Sequence, residues 1–106
     1  MTAEQHGRIV EHAILAITPG REAEFETAFE TAKDIISRML GFRDLTLARG
    51  VERPDTYLLL VRWDTVEDHE VGFRGSPEYQ EWRVLLHGFY EPFPLVEHFE
   101  DVVRVS

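Results

Sequence analysis

Three consecutive blocks decide the fold: LLLVRW (58–63), DTVEDHEVGFRG (64–75) and SPEYQEW (76–82). The first, with Tyr57 before it, is nearly continuous in apolar residues and reads as a strand covered on both faces. Asp64 and Thr65 then offer a helix N-cap, with Glu67 and Asp68 three residues on as capping-box partners. Val66, His69, Glu70 and Phe73 share one face of the helix that follows. Gly75 breaks it. Ser76 and Pro77 restart a second piece, with Ser as N-cap and Pro at the first helical position. Tyr79, Trp82 and Leu86 make the stripe of this piece, and Gly88 ends it.

Working toward the N-terminus, residues 42–51 read as a strand with Leu45 and Leu47 on one face. The turn signal ERPD (52–55) joins it to the strand at 57–63, and the short spacing predicts an antiparallel hairpin. Before it, Phe25, Phe29, Ala32, Ile36 and Met39 form one apolar stripe over a helix at about 20–40. Glu22 and Glu24 suit its first turn, and Gly41 is its expected left-handed stop. IVEHAILAI (9–17) is a further strand, ended by TPG (18–20). Beyond Gly88, residues 89–94 form a proline-punctuated loop, and 95–105 read as a fourth strand carrying Glu97 and His98.

The order β-α-β-β-α-β, with the second helix broken, predicts an α+β, ferredoxin-like fold: a four-stranded antiparallel sheet with helices on one face. The first and third strands are apolar on both faces, and no element remains to cover the second face. A second copy of the chain is the simplest cover, so a homodimer packed sheet to sheet is expected.

The 106 residues suit one domain, expected at 9–106 behind a mobile polar tail at 1–8. With 43% hydrophobic and 29% charged residues the composition is that of a soluble globular chain. The formal net charge of −9 argues against nucleic acid or an anionic membrane as partner. No apolar run approaches the roughly 18 residues that cross a bilayer, and the first residues lack the basic and apolar regions of a signal peptide. The absence of cysteine excludes disulfides and thiol nucleophiles, and a cytoplasmic location is expected.

Chemistry is sought first at histidine, whose pKa lies near working pH. His69 shares its stripe with Val66 and Phe73 and so faces inward, as a proton acceptor or as a satisfied core histidine. His12 and His98 lie on strands that the fold makes neighbours, where the two imidazoles come within reach of each other or simply pack at an interface. His87 at a helix end suits the dipole, and His6 lies in the tail. Trp63 and Trp82, with Phe73 and Tyr79, clamp a flat aromatic ligand or fill the core. Arg62 and Arg83 are candidates to hold an anionic oxygen. For Glu11 and Glu97 the expected role is pairing with arginine. No His-x-His or His-x-x-x-His spacing, phosphate loop or serine elbow occurs, so no metal site is expected.

TPGREAEFETAF (18–29), LLLVRWDTVEDHEVGFRGSPEYQEW (58–82) and FPLVEHFEDV (93–102) together make the chain resemble the antibiotic biosynthesis monooxygenase (ABM) domain family, of the dimeric α+β barrel group. The resemblance runs over about residues 8–104. It implies a dimeric barrel and one of the family's chemistries, which include cofactor-free oxygenation of aromatic polyketides and haem degradation. The haem-degrading branch uses an Asn on the first strand, a Trp in the second helix and a haem-ligating His about ten residues later. The last two positions fall near Phe73 and near Trp82 or Arg83, and the chain has no Asn.

The expected activity is therefore a cofactor-independent monooxygenase acting on an electron-rich phenol or quinol. His69 is the proton acceptor, with His12 or His98 as alternatives. Trp63, Phe73 and Trp82 line the substrate pocket, together with His12 and His98. The competing readings are a non-catalytic dimer that holds a small apolar molecule, and a haem-binding protein.

Overall fold

Alternation along one strand sets the architecture. In β1 (Ile9–Ala16), Glu11, Ala13 and Leu15 are buried on one face, while Val10, His12, Ile14 and Ala16 keep contact with solvent on the other. β3 (Thr56–Trp63) repeats the pattern, with Tyr57, Leu59, Val61 and Trp63 buried and Leu58, Leu60 and Arg62 partly exposed. A computed structural model describes residues 7–105 of the chain. Its single antiparallel sheet has the order β2-β3-β1-β4, with β2 at Phe42–Arg49 and β4 at Val96–Glu100. This is the ferredoxin-like α+β arrangement that the sequence predicts.

The buried face of the sheet is covered by α1 (Glu22–Ile36) and α2 (Pro77–Leu86). Phe25, Phe29, Ala32 and Ile36 of α1 form the expected stripe, joined by Ile35. Phe25 meets Tyr57, Phe29 and Phe89 edge to face. α1 stops short of residue 40 because its last turn tightens: Arg38 and Met39 donate to carbonyls three residues back. Gly41 then takes a positive φ of 84°, and a Cβ there would collide with the Asp68 carboxylate.

One expectation is corrected. The fourth strand does not run over 95–105 but ends at Glu100, because β1, its neighbour among the described residues, begins at Ile9, which pairs with Glu100. One further bond, from Asp101 N–H to the Arg8 carbonyl, closes the ladder, and Val102, Val103 and Val105 lie exposed beyond it. Residues 1–6 of the predicted tail lie outside the described residues. Gly7 and Arg8 are held: Gly7 N–H donates to Asp64, its carbonyl accepts from Arg62, and Arg8 pairs with Glu100. Among the described residues no helix is long and apolar enough to cross a membrane.

Candidate functional site

The first piece of the broken helix is a π-helical turn at Asp68–Phe73, and this turn builds the site. Thr65 Oγ1 caps its start by accepting from Asp68 N–H at 3.0 Å. Asp64, the other predicted cap, instead clamps the start of β2 by accepting two bonds from Arg43, at 2.8 and 2.7 Å. The bond that defines the turn runs from Arg74 N–H to the His69 carbonyl, five residues back, at 3.0 Å. In an α-helix a residue five positions on sits about 140° around the axis. The wider turn brings Arg74 round toward the face of His69, so both line the same cavity. Ser76 then caps α2, its Oγ accepting from Tyr79 N–H, as predicted.

His69 is 2% exposed and lies against the end of β3, its ring stacked on the Trp63 indole with centroids 5.5 Å apart. Glu11, 6% exposed, reaches the same point from β1. Its Oε1 accepts from Trp63 Nε1–H at 2.9 Å and lies 3.3 Å from His69 Nε2. The other ring nitrogen, Nδ1, is 2.8 Å from Nε2 of His98 on β4. His98 comes there because the antiparallel register sets it directly opposite Glu11, on the same face.

Burial dominates the electrostatics of this group. It raises the Glu11 carboxyl from 4.5 to about 7, against the lowering effect of the Trp63 hydrogen bond and of Arg74. It lowers His69 from 6.5 to about 3, with Arg74 and His98 adding to the shift. His69 is therefore neutral at neutral pH, and its 3.3 Å contact with Glu11 is not an ion pair. Burial also lowers His87 and raises Tyr90 well above the ordinary phenol range.

Glu11, His69, Arg74 and Trp82 line a cavity of about 30 Å³, whose walls also include Tyr90 and Phe93. That is room for on the order of one or two water molecules. The Arg74 Nε is buried and has no hydrogen-bond partner among the described residues. Phe73 and Trp82 meet edge to face at 5.5 Å, and Tyr79 closes on Phe73 at 5.2 Å.

The structure thus brings together His69, Phe73 and Trp82 at the cavity. Trp63 stands behind His69 and Glu11 rather than on the cavity wall. His98 touches His69 from the sheet edge. His12 does not join them, and its imidazole does not approach that of His98. Adjacent strands put them on opposite faces, with His12 opposite Glu97 and edge-on to Phe99. Neither candidate arginine faces the cavity: Arg62 binds Asp101 and the Gly7 carbonyl, and Arg83 binds Gln80.

The reading of the residues missed Glu11 and Arg74 as parts of the site. Two glycines in a helical pattern, Gly72 and Gly75, were the signal for an irregular turn that redirects Arg74. No group of three His, Asp or Glu side chains among the described residues is placed to hold a metal ion.

A model of the family described as antibiotic biosynthesis monooxygenase matches residues 8–84. The Bacillus subtilis protein YczJ is 58% identical over 92 residues, which cover 87% of this chain and 97% of that protein. Among solved structures, a Bordetella bronchiseptica protein assigned to antibiotic biosynthesis monooxygenases is 39% identical with a TM-score of 0.86, over 90% of this chain and 97% of its own. SnoaB, a cofactor-independent oxygenase from Streptomyces nogalater, is 19% identical with a TM-score of 0.71, over 92% and 94% of the two chains. That last likeness is one of fold alone.

Proposed function

The chain belongs to the antibiotic biosynthesis monooxygenase family, and from that premise we propose that it oxygenates an electron-rich phenol or quinol without a metal, flavin or haem. Ground-state O2 reacts slowly with closed-shell molecules, so the substrate must supply an electron. A phenol does so once it is deprotonated. For a quinol the balance is quinol plus O2 to hydroxyquinone plus water, with all four electrons drawn from the substrate. The protein's task is to take the proton, hold the resulting oxyanion and keep the space dry.

The observation that supports this reading is the pairing of Glu11 and His69 across one cavity from an arginine with an unpartnered nitrogen. Glu11 and His69 act together as the base, Arg74 holds the phenolate oxygen, and Phe73 and Trp82 flank the ring. An aromatic ring does not fit in 30 Å³. It enters when Phe93, half-exposed at the rim, and Pro94 move aside.

Oxygen uptake with a panel of hydroquinones tests the proposal. The His69→Ala variant is expected to lose on the order of 10²-fold in turnover. Unchanged turnover in that variant would remove His69 from the mechanism. The small size of the cavity favours a second reading, a binder without chemistry. In that case ligands shift the His69 resonances and no quinol draws down oxygen.

We also propose a second copy of the chain as partner, on the open face of the sheet. Val10, Ile14, Leu58, Leu60 and Phe99 together leave an apolar face there in contact with solvent.

A further inference from the structure

The geometry around His69 leaves it no free ring nitrogen, since Nε2 faces Glu11 Oε1 at 3.3 Å and Nδ1 faces His98 Nε2 at 2.8 Å. A base that takes a proton from a ligand needs a lone pair aimed at it, and His69 offers none. Glu11 does. Its Oε1 carries the contacts to Trp63 and His69, while Oε2 has no partner among the described residues, and the side chain lines the cavity. At the other end, His98 lies on the outermost strand and is partly exposed.

We infer that Glu11, His69 and His98 form a proton relay from the cavity to solvent at the sheet edge, with Glu11 exchanging the proton with the ligand and His98 exchanging it with water. The inference deepens the proposed oxygenase by naming where the substrate proton goes, and it rests on that reading only for the identity of the ligand.

Each transfer balances. A proton arrives at Glu11 Oε2 as another leaves Oε1 for His69 Nε2. His69 Nδ1–H passes its own proton to His98 Nε2, and the His98 imidazolium sheds one from Nδ1 to water. His69 ends as the other neutral tautomer and never carries charge. This suits its surroundings, because burial and the nearby Arg74 disfavour an imidazolium. The groups facing Glu11 are Trp63 from β3, His69 and Arg74 from the π turn and its end, His98 from β4 and Tyr90 from the cavity wall. The Trp63 bond to Oε1 and its stacking on His69 hold the first two members in line. The relay's outer member also falls beyond residues 8–84, the stretch matched by the family model.

Nitrogen-15 NMR of the histidine-labelled protein between pH 5 and 9 tests the relay without any substrate. Below the Glu11 midpoint the carboxyl donates to His69 Nε2, so Nδ1 carries the ring proton. Above it the carboxylate accepts from Nε2–H, and Nδ1 becomes the acceptor. The expected result is an exchange of roles between the two nitrogens near pH 7, with no imidazolium form of His69. Glu11→Gln is expected to leave His69 in one tautomer throughout.

A His69 that keeps one tautomer in the native protein, or that charges with an ordinary midpoint, overturns the relay. In turnover, His98→Gln keeps a hydrogen bond but cannot pass a proton. A loss of about tenfold or more, partly restored by added imidazole, is expected. Full turnover in that variant overturns the role of His98. Tautomer exchange without oxygen uptake on any quinol overturns the oxygenase and supports the relay.

Discussion

Glu11 and His12 are neighbours in the chain and opposites in surroundings. Glu11 lies under the helices at 6% exposure, its Oε1 bonded to Trp63 and 3.3 Å from His69. His12 lies on the open face among leucine, isoleucine and phenylalanine side chains that meet solvent. The usual distribution is inverted: a carboxyl is buried while Ile14 and Phe99 are about half exposed, at 48% and 52%. A buried acid costs stability and an exposed apolar face invites association. The two costs make sense together when the covered face holds a reaction site and the open face holds a partner.

The sharpest way to break this comparison uses the next strand, where Leu59 faces the helices and Leu60 the open side. Leu59→Ala is expected to cost about 2–5 kcal/mol at any protein concentration, as cavity-forming substitutions do. Leu60→Ala is expected to cost less than about 1.5 kcal/mol in dilute solution, where nothing covers it. Its effect on Tm should then grow with concentration as the copies associate. Thermal unfolding of both variants over a hundredfold range of concentration gives the answer. A Leu60→Ala shift that does not depend on concentration means that the open face stays open.

A smaller effect, with a definite sign, is expected at the buried acid. Between pH 4.5 and about 7 the folded chain keeps a proton on Glu11 that the unfolded chain has released. Stability from this group therefore falls as pH rises through that window, and above it the full penalty of about 3 kcal/mol is in place. His69 works the other way, losing stability as pH falls from 6.5 toward 3. It is present in both proteins and cancels when they are compared. Glu11→Gln should therefore gain on the native chain by about 2–3 kcal/mol more at pH 9 than at pH 5. Urea unfolding at the two pH values measures this. An equal difference at both would mean that the Glu11 carboxyl is not held protonated by its burial.

The fold was legible because period two and period 3.6 are written locally. The stripe of α1, the apolar run of β3 and the Ser76 cap each follow from a few adjacent residues. The errors arose where one element depends on another. The length of β4 is set by where β1 begins, which nothing in residues 95–105 records. The adjacency of the strands carrying His12 and His98 was readable, but their faces depend on a register parity that pairs His98 with Glu11 instead. Arg74 was hidden by a single change of hydrogen-bond period in a six-residue turn. Glu11 was hidden by context: a glutamate in an apolar strand looks like an ion-pair partner until Trp63 and His69 are placed beside it.

The smallest expected effect closes the comparison at its other member. His12→Ala removes a ring that meets Phe99 edge-on at 5.5 Å and stands opposite Leu60 and Glu97. It touches neither the cavity nor any member of the Glu11–His69–His98 group. In dilute solution the change in stability should stay within about 0.5 kcal/mol, as for substitutions on open surfaces. The Trp63 emission and its response to pH should be unchanged, because Glu11 and His69 still surround the indole. A single sheet separates the two imidazoles, so the experiment asks whether that sheet insulates. A Trp63 pH response moved by His12→Ala would mean that the open face reaches the buried acid. Any partner docking on it would then act on the site as well.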